Sequence, residues 1–218
     1  MADLYPLFMN LAGHRAVVIG GGTVALRKIE ALWTAGAQIK VVSPEISEQI
    51  RNLISEARLE WLPRKYEPGD LAGAMVAIVA CGNQEVNRRA WAEAREKRIL
   101  INVVDEPDFC TFHVPAVVRR GPVQIAISTG GQSPALAKYL RRKLEAAVGP
   151  EYGQLAAELG KFRDWLRENV PDQARRAQIL EKLVNSHALE LLRKGKKAEF
   201  LQMIEEIKLE VKLEDRRT

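Results

Sequence analysis

With 218 residues, of which 47% are hydrophobic and 28% charged, the chain has the length of one α/β domain plus a smaller attachment, and enough apolar mass to exclude disorder as its main state. No run approaches the ~18 apolar residues of a membrane span, Met1–Tyr5 lacks the basic and apolar regions of a signal peptide, and two cysteines, Cys81 and Cys110, are too few for a disulfide framework; a cytoplasmic protein is expected. The net charge is +5, and all of it falls in residues 114–145, where Arg119, Arg120, Lys138, Arg141, Arg142 and Lys143 face a single acid, Glu145, so an anionic partner is the natural inference.

Along the chain, Arg15–Ile19 is a short β-branched run ending in three glycines and reads as a buried strand. Thr23–Ala35 carries Val24, Ile29, Leu32 and Trp33 at helical spacing, and Gly36 stops it. Gln38–Val42 is a second strand, closed by Ser43-Pro44. A helix over Ile46–Ala57, a strand over Leu59–Leu62, a strand over Met75–Ala80, a helix over Gln84–Lys97 and a strand over Arg98–Val104 complete the series. Strands alternating with helices predict a parallel sheet with right-handed crossovers. Val114–Val118 and Val123–Ser128 then suggest a hairpin around Arg119-Arg120-Gly121-Pro122, and Ser133-Pro134 opens a helix running to about Val148. Amphipathic segments 151–169, 172–194 and 196–213 follow, with Pro171 and Gly195 between them. The expected organisation is a Rossmann-type α/β domain over 1–113, a small α+β segment over 114–149 and a helical domain over 150–218.

Gly20-Gly21-Gly22-Thr23-Val24-Ala25 fits G-x-G-x-x-A after the first strand and at the opening of the first helix, which is the context that gives this motif meaning. The first glycine permits a tight turn, the second lets a pyrophosphate approach the backbone, and Ala25 lets helix and strand pack closely. The helix N-terminus adds N–H donors and a positive dipole end. The acidic residue usual at the end of the second strand is replaced by Ser43, with Glu45 two positions on. Either can hydrogen-bond a ribose hydroxyl, and Glu45 would repel a 2′-phosphate, so NAD is favoured over NADP.

Asn102-Val103-Val104-Asp105 ends the last strand of the sheet, on the edge where such sheets bind ligands. Asp105 is either a general base, its pKa raised by partial burial, or a cap for the loop before Pro107. His113 is open to three readings: acid/base group, metal ligand, or a side chain that is simply packed or solvent-exposed. Cys81 continues a buried strand and is expected to be packed, and neither cysteine has the company of a structural metal site.

These segments, together with Tyr5-Pro6-Leu7-Phe8, Leu26-Arg27-Lys28 and Ser128-Thr129-Gly130-Gly131-Gln132-Ser133-Pro134-Ala135-Leu136-Ala137, resemble in residue type and order the precorrin-2 dehydrogenase family, the N-terminal module of siroheme synthases. The resemblance is specific over residues 4–148 and rests on helical character alone beyond 151. It implies a homodimer that oxidises precorrin-2 to sirohydrochlorin with NAD; some members also insert ferrous iron. It places Gly20, Gly22, Thr23 and Val24 at the pyrophosphate, Ser43, Pro44 and Glu45 near the adenosine ribose, and Asp105 as base. With the dinucleotide over the Gly20–Ala25 turn, the nicotinamide is expected near Val103–Asp105, which makes Val104 a cofactor-binding candidate. Thr129 stands where some relatives have serine. Because the implied substrate is a polycarboxylate, Arg119, Arg120, Lys138, Arg141 and Arg142 become candidates to bind it, and Thr129, which retains a hydroxyl, joins that set. The rival reading is an NAD-sensing regulatory module without turnover. A DNA-binding version is disfavoured, since no recognition-helix pattern accompanies the basic residues.

Overall fold

A computed structural model describes residues 4–55 and 59–214. The chain divides into two compact units, Met1–Val114 and Pro115–Thr218. In the first, the elements run β1 (Arg15–Ile19), α1 (Thr23–Thr34), β2 (Gln38–Val42), α2 (Glu48–Ser55), β3 (Leu59–Leu62), β4 (Val76–Val79), α3 (Gln84–Glu96) and β5 (Leu100–Val103). The end of the helix expected over Ile46–Ala57 lies outside the described residues; its start moves to Glu48, where the Ser47 hydroxyl accepts from the Ile50 N–H at 3.4 Å as an N-cap does.

The five strands form one parallel sheet in the order β3-β2-β1-β4-β5. Side chains alternate across it. Ala16 and Val18 face the layer that holds Ala25, Ile29 and Leu32 of α1, whereas Val17 and Ile19 face the layer that holds Ala90 and Ala94 of α3. Burial on both faces explains the uninterrupted apolar strands. The outer edge of β5 is covered by its own return loop: the Thr111 N–H donates to the Ile101 carbonyl at 2.8 Å, and the Thr111 hydroxyl accepts from the Ile101 N–H at 2.8 Å.

The connection from β3 at one edge to β4 beside β1 is the longest in this unit, and buried carboxylates hold it. Asp70 receives both arms of the Arg64 guanidinium at 2.8 Å each and the Glu67 N–H at 2.9 Å. Glu93 of α3, buried, receives the Lys97 ammonium at 2.7 Å, the Gly69 N–H at 3.0 Å, the Leu71 N–H at 3.2 Å and the Tyr66 hydroxyl. Burial alone would push the Glu93 carboxyl up, but the bonds from Lys97, Tyr66 and Gly69 outweigh it and hold the group below the usual glutamate range.

In the second unit, β6 (Ala116–Arg120) and β7 (Val123–Ile127) pair antiparallel, followed by α4 (Pro134–Ala147), α5 (Pro150–Asn169), α6 (Gln173–Val184), α7 (Ala188–Arg193) and α8 (Lys197–Glu214). Two expectations are corrected. The hairpin turn is only Gly121-Pro122; Arg119 and Arg120 belong to the strand, opposite Gln124 and Val123. Gly121 takes a φ of 56°, a left-handed turn entry that glycine supplies without strain. The segment 172–194 is two helices, because the Ser186 hydroxyl donates to the Leu183 carbonyl at 2.7 Å and accepts from the Ala188 N–H at 3.1 Å, a local bonding pattern that competes with helix continuation. The helical core is built on Phe162, Leu166, Leu183, Leu192, Phe200 and Ile204. Gly153 of α5 lies where the hairpin turn crosses the helix, and a Cβ there would run into the Arg120 carbonyl.

Since the Glu93 carboxyl is lowered on folding, its stabilisation is complete above the unfolded glutamate pKa and lost as pH falls through the folded value. Urea titration is expected to show wild-type stability declining below the usual glutamate range, while Glu93→Gln flattens part of that decline and costs about 1–3 kcal/mol at neutral pH.

Candidate functional site

The glycine turn sits at the carboxyl edge of the sheet, between β1 and the neighbouring strands β2 and β4. The Gly20 N–H donates to the Val42 carbonyl at 3.0 Å, the Ala80 N–H donates to the Ile19 carbonyl at 2.7 Å, and the Ser47 N–H donates to the Gly21 carbonyl at 2.8 Å. A side chain at Gly20, which has a φ of 122°, would strike the Ala80 carbonyl, and one at Gly21 would strike the Glu45 carbonyl. Gly22 differs: a Cβ there meets nothing within 4 Å. Gly22 is the N-cap of α1, no side-chain hydrogen bond caps that end, and its first turn holds no acid. The turn is thus closed toward the protein and open on one side, beside free helix N–H groups. That is the shape and charge a dinucleotide pyrophosphate requires. Ala25 is fully buried against the sheet, Val24 is half-buried and Thr23 is exposed.

Ser43 follows β2 and is buried, its hydroxyl donating to the Glu45 carbonyl at 2.6 Å while its own carbonyl accepts from the Trp61 indole N–H at 2.9 Å. Its proton is therefore committed to shaping the turn, and its oxygen keeps acceptor capacity. Pro44 and Glu45 are exposed. Cys81, expected to be packed, is exposed: β4 stops at Val79, and the chain turns outward through Gly82, at a φ of 66°, to the Asn83 N-cap of α3.

At the end of β5 the Val104 N–H donates to the Val79 carbonyl at 2.9 Å. Asp105 then takes a φ of 62°, a left-handed conformation costing a non-glycine residue roughly 1 kcal/mol. It is exposed, so the partial burial expected of it is not provided by its own unit. A tight turn closes around it, with the Glu106 N–H donating to the Val103 carbonyl at 3.3 Å. His113 is half-buried. Among the described residues no group of three or more His, Cys, Asp and Glu could hold a metal. No described helix is long and apolar enough to cross a membrane.

Two residues in this unit escaped the sequence reading as site components. Lys28 falls at the i+3 position of the stripe Ala25, Ile29, Leu32 that α1 turns to the sheet; burial pulls its ammonium below the usual lysine range, and Arg27 adds to the effect. Cys110 is half-buried beneath the Asp105 turn, and burial pushes its thiol up. The basic stripe position was visible in the helical periodicity; the thiol's place was not, because it depends on how the return loop closes.

In the second unit the basic window resolves into different tasks. Arg120 is occupied: Nε donates to the Val148 carbonyl at 2.8 Å, and its terminal nitrogens donate to the carbonyls of Glu145 and Arg119 at 2.9 Å each. Arg141 pairs with Glu145 one turn along α4. Arg119, Lys138 and Arg142 are exposed, and the Lys143 ammonium lies 5.6 Å from the Tyr139 ring centre. The Thr129 hydroxyl donates to the Ser133 carbonyl and accepts from the Ser133 N–H, each at 3.1 Å. It latches the loop in which Gly130 and Gly131 have φ of 61° and 82°. α4 has no buried residue, and Leu136, Tyr139 and Leu140 stand exposed along it.

Three family models match the chain in succession: an NAD(P)-binding model over residues 7–116, the sirohaem biosynthesis protein central model over 120–147 and the sirohaem synthase dimerisation region over 151–207. The chain is 39% identical over 204 residues to siroheme synthases of Pseudomonas paraeruginosa and Pseudomonas aeruginosa strain LESB58, covering 94% of this chain and 44% of each relative. It is 39% identical over 195 residues to the siroheme synthase of Nitrosomonas europaea, covering 89% of this chain and 41% of that protein. It thus spans less than half the length of these relatives. A solved structure of SirC, a precorrin-2 dehydrogenase, matches with a TM-score of 0.79 and 28% identity, over 93% of this chain and 100% of that one.

Arg120→Ala is expected to lower unfolding free energy by about 1–3 kcal/mol, because it strips donors from the carbonyl end of α4. Arg119→Ala, at an exposed strand position, is expected to stay within about 0.5 kcal/mol of wild type. Chemical denaturation of the two variants side by side checks the contrast.

Proposed function

For a chain that belongs to the siroheme synthase family, as that family's NAD(P)-binding, central and dimerisation regions in order, we propose NAD-dependent oxidation of precorrin-2 to sirohydrochlorin. The observation that carries this reading is the pairing, on one sheet edge, of an open glycine turn at an uncapped helix N-terminus with the solvent-facing carboxylate of Asp105. NAD, when bound, supplies the hydride acceptor.

The chain's own residues do the rest. Gly20, Gly22, Thr23 and Val24 hold the pyrophosphate through backbone N–H groups and the helix dipole. Ser43, Pro44 and Glu45 form the ribose end, where the Glu45 carboxylate opposes a 2′-phosphate and selects NAD. Val104 sets the distance between the sheet edge and the nicotinamide. Oxidation of a ring carbon removes a hydride and a proton, and Asp105 accepts the proton. Asp105 stands exposed at that edge in its left-handed turn. Exposed Arg119, Lys138 and Arg142 are the cations available to the substrate's carboxylates; Arg120 and Arg141 support the segment that presents them. The exposed Leu136, Tyr139 and Leu140 of α4, followed by a sequence that matches a dimerisation region, support a homodimer.

An anaerobic spectroscopic assay with precorrin-2 and NAD tests the reading. Wild-type protein is expected to form NADH, Asp105→Ala to lose at least about 100-fold in rate, and Gly22→Ala to weaken NAD binding at least about tenfold with unchanged stability, since the added Cβ meets no protein atom within 4 Å. NAD binding without NADH formation by the wild type would favour a sensing module, and wild-type rates in Asp105→Ala would remove the aspartate from the chemistry. Ferrous iron added to the same cuvette reads out chelation.

A further inference from the structure

Asp105 holds its unusual backbone conformation at the tip of a sheet edge, exposed to solvent and flanked by Val104 and Glu106, neither of which is glycine. The single backbone bond that closes its turn, from the Glu106 N–H to the Val103 carbonyl, is long at 3.3 Å. Something else must keep the turn in one conformation. The side chain beneath it is Cys110, five positions later, brought back by the short 3-10 turn Pro107–Phe109, in which the Phe109 N–H donates to the Glu106 carbonyl at 3.0 Å and the Cys110 N–H to the Pro107 carbonyl at 3.1 Å.

The Cys110 sulfur touches both ends of the Asp105 turn. It accepts from the Val103 N–H at 3.2 Å and from the Asn102 amide at 3.5 Å, and it lies 3.3 Å from both the Val103 and the Glu106 carbonyls, either of which its S–H can meet as donor. Val103 and Glu106 are the first and last residues of the turn, and Asp105 lies between them. We propose that Cys110 is a positioning residue for Asp105: its thiol staples the two ends of the turn and thereby fixes the direction in which the Asp105 carboxylate is presented. The proposal rests on the reading of Asp105 as the base in the dehydrogenation.

The chemistry suits a thiol in its protonated form. Only S–H can donate to a carbonyl while its sulfur accepts from an N–H, and burial pushes the Cys110 thiol up and favours that form, outweighing the Val103 N–H and Lys28, which pull the other way. Sulfur's larger radius lets one atom reach four backbone and side-chain partners at 3.2–3.5 Å. Serine keeps a donor and an acceptor at the same place with shorter reach; valine fills comparable volume and has neither. A general base must lie within hydrogen-bond reach of its proton in the reacting complex, so loosening the turn lowers turnover without touching the glycine turn that holds the dinucleotide.

The test compares Cys110→Val, Cys110→Ser and wild type by steady-state kinetics with precorrin-2 and NAD, and by amide hydrogen exchange. Cys110→Val is expected to lower kcat at least about tenfold, with KM for NAD within about twofold. Cys110→Ser is expected to recover most of the lost kcat. Exchange at Glu106 is expected to quicken at least about tenfold in Cys110→Val, while Val18 and Ile78, on strands paired on both sides within the sheet, keep their protection. Wild-type kcat in Cys110→Val, no recovery in Cys110→Ser, or a loss of kcat matched by an equal rise in KM for NAD would each overturn the positioning role. Should wild-type protein form no NADH at all, the activity reading falls by itself. Exchange at Glu106 then still decides whether Cys110 holds the turn: unchanged exchange in Cys110→Val overturns it.

Discussion

Backbone meets backbone at the carboxyl edge of β1 without side chains between, and the nucleotide end of the molecule depends on that contact. Gly20 touches the end of β4 and Gly21 the loop after β2, so three chain segments converge within hydrogen-bonding distance of one turn. This convergence brings the N-terminus of α1 beside the junction of β1 and β4, from which the strand order runs outward in opposite directions, the switch point at which open α/β sheets bind ligands. A methyl group at Gly20 or Gly21 would separate these segments. At Gly22 it would only occupy the space a ligand needs. Three consecutive glycines therefore serve two constraints, internal approach and external access.

The sheet's other contribution is to carry Asp105 to the same edge. β5 is an edge strand, and its unpaired side is covered by residues of the return loop through Thr111 and the Asn102 side chain, which donates to the Phe112 carbonyl at 3.1 Å. That cover protects the strand from pairing with another chain and sets where the loop re-enters, and with it where Cys110 lies. The position of a candidate base is thus tied to how an exposed edge is closed, by way of a turn conformation that costs energy and persists only when its surroundings enforce it.

The second unit shows how charge pattern and charge function separate. The window from 114 to 145 carries the chain's whole net charge, yet its members do different physical work. Arg120 binds the last carbonyls of α4 and neighbouring backbone, and Arg141 is paired with Glu145 along the helix. What remains for a polyanion is a smaller, solvent-facing set. The close crossing of the hairpin over Gly153 explains why Arg120 is where it is: with the turn pressed on α5, the strand's last side chain falls beside the end of α4.

The strand and helix order, the parallel sheet, the glycine turn, the position of Asp105 at a strand end and the order of regions that marks the family are legible in the sequence. All of these follow from local periodicity, caps and spacing, which a chain carries whatever it packs against. Packing set the rest: the exposure of Cys81, the place of Cys110 against the turn, the left-handed, solvent-facing state of Asp105, and the strand positions of Arg119, which is exposed, and Arg120, which is spent on backbone carbonyls. The break after Val184 belongs there too. Each depends on which backbone groups a side chain can reach once distant segments are side by side, and a hydroxyl, thiol or guanidinium carries no trace in the sequence of which carbonyl it will meet.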